Sequence, residues 1–252
     1  MNRERRTKGR CLSTFLRDYI IPPICPSCGE LLCISRLTPF CSDCCEQWEH
    51  EKRGRCMDCG LTFFDCICLP PLLKEYGICD GIFLSAYRSG RATVTDRLIY
   101  YVKRERNGNV FDFLARELSK PVRDLLCAEG ISTENVYAVP LPRRRRAVRE
   151  IGFDQAKMLA ASLAATIECE YKELLIRRRG GREQKMLNKE ERILNLEKAF
   201  RLKEVLDFSG KTILLVDDVM TTGSGLRAAA ELLAACGADR IVPVTVARTV
   251  TI

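Results

Sequence analysis

Apolar residues recur along this chain with two different rhythms, and the rhythm changes near residue 70. From residue 81 onward, short apolar runs alternate with longer stretches in which apolar positions return every three or four residues. The short runs predict strands at 81–87, 136–139, 174–178, 212–216 and 241–246. The longer stretches predict helices at 95–104, 110–126, 153–167, 189–200 and 226–236. Strands separated by helices imply a Rossmann-like α/β domain with a mostly parallel sheet covered on both faces.

Upstream the pattern differs. Leu12, Phe15, Leu16, Tyr19 and Ile20 are spaced as one face of a short amphipathic helix, which Pro22 and Pro23 end. Residues 25–68 are loop-like and too poor in periodic apolar positions to build a core of their own, so something other than hydrophobic burial must hold them. Pro70 and Pro71 then form a stiff boundary. The expected organisation is therefore an N-terminal helix (1–24), a cysteine-rich module (25–72) and the α/β domain (73–252).

Composition says what could hold the middle region. All but three of the fifteen cysteines precede Asp80; Cys127, Cys169 and Cys236 are the exceptions. Cys25-Pro-Ser-Cys28-Gly29 and Cys56-Met-Asp-Cys59-Gly60 have the form of metal knuckles, with two thiolates one turn apart and a glycine for the tight backbone that follows. Cys41 with Cys44, and Cys66 with Cys68, supply two further pairs. Eight thiolates suit two tetrahedral sites, for which Zn²⁺ is the expected ion. An iron–sulfur cluster and a set of free or disulfide-bonded cysteines are the alternatives, the second a poor fit to an odd cysteine total. The simplest pairing puts Cys25, Cys28, Cys41 and Cys44 on one ion and Cys56, Cys59, Cys66 and Cys68 on the other; the spacing leaves an interleaved pairing open. No ligand position looks free for substrate, so the sites read as structural. His50, the one histidine, reads as ordinary surface sequence between Glu49 and Glu51.

The formal charge is +8 and is most concentrated at 143–149 and 177–182, which favours phosphate-bearing ligands, with solvated basic surface as the plain alternative. No apolar run reaches the roughly 18 residues of a membrane span, and residues 1–10 lead into no signal-like apolar stretch, so a cytoplasmic location is expected.

The sharpest chemical signal follows the strand Thr212-Ile-Leu-Leu-Val216. It continues Asp217-Asp218-Val219-Met220-Thr221-Thr222-Gly223-Ser224 and enters a helix near Gly225. A strand end that runs into a helix N-terminus presents unpaired backbone N–H groups, and small or hydroxylated residues there can wrap a phosphate. Two adjacent carboxylates suit the vicinal hydroxyls of a sugar, each accepting hydrogen bonds. The whole string resembles the phosphoribosyl pyrophosphate motif of type I phosphoribosyltransferases. That resemblance implies that Asp217 and Asp218 hold the ribose hydroxyls while Thr221, Thr222, Gly223 and Ser224 cradle the 5′-phosphate, with Val219 and Met220 inside the same loop. Gly225 stands where many relatives carry another threonine.

Two further strings narrow the resemblance to the ComF/GntX-like family. They are Val139-Pro140-Leu141-Pro142-Arg143 through Arg149 with Gly152-Phe153-Asp154-Gln155-Ala156, and then Gln184, Leu187, Arg192, Asn195 and Phe200. Asp154 replaces the usual asparagine, and Gly181 sits where a threonine is common. The family's fold implies that the loop after Val139 faces the pyrophosphate, with Arg143, Arg144, Arg145 and Arg146 neutralising it and Mg²⁺ bridging pyrophosphate and ribose oxygens. The function so implied is phosphoribosyl transfer from phosphoribosyl pyrophosphate to an acceptor that the sequence does not identify. The alternative, also from the family, is a non-enzymatic factor that handles single-stranded DNA during natural transformation, with competence-machinery proteins as partners.

Overall fold

The computed structural model describes residues 23–32, 38–88, 93–178, 199–204 and 207–250. The expected helix at 12–20 and all but the end of the one at 189–200 lie outside these, as do Gly181, Gln184, Leu187, Arg192 and Asn195. In chain order the helices are α1 (Ser42–Lys52), α2 (Pro71–Lys74), α3 (Val94–Val102), α4 (Gly108–Ala128), α5 (Arg145–Ile151), α6 (Gln155–Ile167) and α7 (Ser224–Ala234). The strands are β1 (Ile82–Tyr87), β2 (Val136–Pro140), β3 (Glu170–Tyr171), β4 (Leu175–Arg177), β5 (Phe200–Leu202), β6 (Thr212–Met220) and β7 (Arg240–Thr249).

Five strands form one sheet in the order β1-β7-β6-β2-β3, and every neighbouring pair is parallel. Along β6, Leu214 and Val216 join one apolar cluster while Ile213 and Leu215 join the other, so both faces are buried. This is why the strand reads as a continuous apolar run instead of an alternation. α4 and α6 cover the first face; α7 lies on the second, with Leu226, Ala229 and Leu233 buried. Asp154 starts α6 by accepting the Ala156 and Lys157 amides, and Asn107 starts α4 by accepting that of Asn109.

The structure departs from the sequence reading in several places, beginning with the eleven-residue α1 inside the segment read as loop-like and the short β3, which answers to no expected strand. β6 runs on past residue 216 to Met220, because its ladder with β7 continues through Asp217↔Thr245, Val219↔Ala247 and Met220↔Arg248. The acidic pair is thus strand, not loop. β4 is present but lies off the main sheet, pairing antiparallel with β5, in which Phe200 is a strand residue rather than the end of a helix. The arginine run read as a loop enters α5 at Arg145. Finally, the cysteine-rich segment does share a hydrophobic core. Phe40 and Trp48 are completely buried, their rings 5.6 and 6.4 Å from that of Phe113 in α4. Its apolar residues are too few for a separate core but pack into the main one.

The attachment of α1 to the domain is polar as well. The Glu51 carboxylate accepts the Val94 and Thr95 amides at 2.8 and 2.9 Å, and so caps α3 from another helix. Thr93 and Asp96 complete a capping box at the same turn. Lys52 of α1 pairs with Glu117 of α4. Among the described residues no helix is long and apolar enough to cross a membrane.

Candidate functional site

The site is built where β2 and β6 end. These strands stay in register up to Pro140↔Val216, and the Leu141 amide then donates to the Val216 carbonyl at 2.8 Å. The loop after β2 therefore leaves the sheet beside the continuation of β6, which stays paired with β7 as far as Met220. In open parallel sheets this carboxyl edge is where ligands bind, since helix N-termini and connecting loops converge there.

On the β6 side, Asp218 is buried and Asp217 half-buried. The Asp217 Oδ1 atom accepts the Asp218 amide at 2.9 Å. Burial, then the neighbouring Asp218 carboxylate, push the Asp217 pKa well above the usual carboxylate value, and the Lys103 ammonium pulls it down. Lys103 Nζ lies 3.1 Å from Asp218 Oδ2. Val219 and Met220 remain in the ladder with their side chains buried in the core, which leaves only their backbone for a ligand.

Thr221 and Thr222 are exposed beyond the strand, and the Thr222 and Ser224 hydroxyls are 3.0 Å apart. Gly223, in the left-handed region at φ +76°, is the residue from which α7 starts. A Cβ at Gly223 would also lie 2.8 Å from Cγ of Leu73 in α2, so conformation and space both require glycine. The first amides of α7 have no partner within the helix and open toward the threonines.

On the β2 side, Asp154 fixes the loop: its Oδ2 accepts the Arg143 amide at 3.3 Å while its Oδ1 caps α6. Arg143 Nη1 is buried without a hydrogen-bond partner among the described residues. Arg144 is exposed at the loop's end. Arg145 and Arg146 belong to the first turn of α5, and Arg146 pairs with Glu150 at 2.8 Å. The four predicted arginines are thus divided between a pinned loop and a helix.

Sequence reading missed two cations here. Arg177, on β4, donates to the Pro142 carbonyl at 3.4 Å; burial and the Arg144 charge lower its pKa, and the Asp217 charge raises it. Lys103 follows α3 and is remote from Asp218 in sequence. The basic run at 177–182 was a partial signal for Arg177. No sequence pattern pointed to Lys103.

The cysteines fall into two tetrads, Cys25, Cys28, Cys41, Cys44 and Cys56, Cys59, Cys66, Cys68, with the sulfurs of each within 4.8 Å of one another. That is the simplest pairing. The closest contacts, Cys28 to Cys41 at 3.6 Å and Cys59 to Cys66 at 3.5 Å, match the sulfur–sulfur edge of about 3.8 Å in a tetrahedron with ~2.3 Å metal–sulfur bonds. The two knuckles are built alike. Gly29 and Gly60 have φ of +81° and +73°, and their amides donate back to Cys25 and Cys56 at 2.9 Å. The first knuckle is tied to α3 by Arg97 Nε donating to Ser27 Oγ at 2.8 Å. The second is tied to β7 by the buried Arg248, which reaches the Cys56 sulfur, Asp58 and the Cys68 carbonyl.

Residues 154–249 match the model of the phosphoribosyl transferase domain, a stretch that starts at the cap of α6 and includes the whole of β6 and its loop. The chain is also 29% identical over 231 residues to the DNA utilization protein YhgH of Escherichia coli strain K12, a match spanning 88% of this chain and 95% of that protein. The protein of the same name from Salmonella typhimurium is 29% identical over 230 residues, with the same coverage. These two likenesses support the resemblance to the ComF-like family. The chain combines a type I phosphoribosyltransferase fold with cysteine clusters compatible with a zinc module.

Proposed function

We propose that this chain acts as a ComF-like protein, binding phosphoribosyl pyrophosphate with Mg²⁺ across the ends of β2 and β6 and working as a phosphoribosyltransferase. The observation that carries the reading is the convergence, at one carboxyl edge, of an acidic pair, a helix-starting Thr-Thr-Gly-Ser turn and an arginine loop pinned by Asp154. Asp217 and Asp218 accept hydrogen bonds from the ribose 2′- and 3′-hydroxyls. The turn at 221–224 and the first amides of α7 take the 5′-phosphate. Arg143 and Arg144 serve the pyrophosphate, and the unpartnered Arg143 Nη1 supplies a donor for it. Mg²⁺, when bound with the ligand, neutralises pyrophosphate charge and so helps it leave. In the transfer, the bond from the anomeric carbon to pyrophosphate breaks with its electron pair on the leaving oxygen, and the acceptor's lone pair forms the new bond. Anions fixed beside the ribose stabilise the positive charge that develops on the ring.

Asp217→Asn combined with Asp218→Asn retains shape while removing both charges. Two charge-assisted hydrogen bonds are worth roughly 1.5 to 3 kcal/mol each, so calorimetry with Mg²⁺ should show binding weakened by on the order of a hundredfold or more. Equal binding by wild type and double variant, or none by the wild type, contradicts the assignment.

The tetrads are proposed as structural Zn²⁺ sites, because each offers four soft thiolates at tetrahedral spacing. Elemental analysis of the purified chain should find about two zinc ions per molecule. Their absence, together with eight tetrad thiols that react freely in the folded protein, would sink this assignment.

A second reading, a role in handling single-stranded DNA, is supported by the name of the YhgH relatives and by one surface feature. The Arg104 guanidinium lies 3.7 Å from the centroid of the Tyr100 ring, which is 62% exposed. An open aromatic ring beside fixed positive charge can stack on an unpaired base. Binding of an oligonucleotide should weaken steeply with added salt and fall further in Tyr100→Ala. Binding that is absent at low ionic strength, or insensitive to salt, contradicts it.

A further inference from the structure

We propose that Lys103 is a positioning residue for the acidic pair, holding the Asp218 side chain by an ion pair in the orientation that accepts a ribose diol, without itself touching the ligand. The proposal rests on the phosphoribosyl pyrophosphate reading above. Its starting point is a cost: the Asp218 side chain is only 10% exposed, and a carboxylate taken out of water must be compensated or take up a proton. Its Oδ2 atom is buried and has no aligned hydrogen-bond donor among the described residues; what faces it is the Lys103 ammonium, at 3.1 Å.

The ammonium does not arrive there by chance rotation of a surface side chain. Lys103 directly follows α3, whose last residue, Val102, is buried, and its own amide donates to the Ile99 carbonyl. The opposite end of α3 is clamped by the Glu51 carboxylate, by its capping box and by the Arg97 to Ser27 contact. The Lys103 ammonium also sits 5.9 Å from the centroid of the Tyr87 ring at the end of β1. Of the charged groups nearby, Lys103 pairs with Asp218 and Arg177 on β4 feels the Asp217 charge, while Tyr87 on β1 faces Lys103 and Arg144 on the loop before α5 faces Arg177. Only Lys103 makes an ion pair with Asp218 among the described residues.

The chemistry of the ligand makes this pairing matter. A diol donates two hydroxyl protons, so it is held best by two charged acceptors, whereas two adjacent, partly buried carboxyls tend to retain one proton between them. A cation at 3.1 Å favours the fully charged pair. Without it, the pair should ionise only at higher pH, and ligand binding should follow.

The test is phosphoribosyl pyrophosphate binding with Mg²⁺, measured by calorimetry from about pH 6 to about pH 8.5 for wild type, K103M and K103R. The expected result is that K103M binds at least about tenfold more weakly than wild type at the low end, one unit of pKa shift being a factor of ten, and that the gap narrows as pH rises. K103R should restore the wild-type profile. In a D218N background, where the charge to be compensated is gone, adding K103M should change affinity little. A K103M deficit that is the same at every pH would mean direct contact with the ligand or a loss of fold, and would overturn the proposal. So would a K103M variant that matches wild type throughout, or effects of K103M and D218N that simply add. A wild type that binds no phosphoribosyl pyrophosphate at any pH overturns the underlying reading and this proposal with it.

Discussion

Placing two adjacent carboxylates at the buried end of a central strand is the constraint around which this molecule is arranged. Ionised acids are costly to remove from water, and the cost falls as opposite charge is brought close. Here β6 carries Asp217 and Asp218 to the sheet's carboxyl edge while its ladder to β7 still holds them in extended conformation. The compensating charge comes from elsewhere: Lys103 from the end of α3 and Arg177 from β4. Neither is a neighbour in sequence. The local environment thus depends on three separate elements being correctly placed, and each is placed by ordinary packing and capping.

The cysteine-rich segment contributes to that placement. Through Glu51 it caps α3, through Ser27 it receives Arg97, and through Phe40 and Trp48 it shares the core with α4. Just after the second tetrad, Leu73 packs where Gly223 turns the chain into α7. A module that could have been an appendage is built into the supports of the acidic pair on one side and of the Thr-Thr-Gly-Ser turn on the other.

The sequence made a good part of this legible, for identifiable reasons. Strands buried on both faces produce long apolar runs, so β1, β2, β6 and β7 stood out, and α4 and α6 showed their faces through helical spacing. The string from Asp217 to Ser224 stood out because two acids at a strand end followed by small hydroxylated residues at a helix start form one continuous pattern. What did not show was whatever depends on long-range register. Nothing in the residues after Val216 says that the β7 ladder continues to Met220, which turns Val219 and Met220 into core residues. Nothing near Lys103 names Asp218 as its partner. The cysteine-rich segment was read as coreless because periodicity measures a face an element presents, whereas Phe40 and Trp48 work as two isolated anchors in a core supplied by α4.

The central claim is that the ends of β2 and β6 form one binding site for phosphoribosyl pyrophosphate. Amide hydrogen exchange of the wild-type chain, with and without that ligand and Mg²⁺, tests it most directly, because it reports on each segment separately. The account predicts slowed exchange in two stretches together, 141–144 after β2 and 217–226 from the acidic pair into the first turn of α7, with the knuckles at 25–29 and 56–60 unchanged. Protection confined to one of those stretches, or appearing only in the cysteine-rich segment, would contradict it.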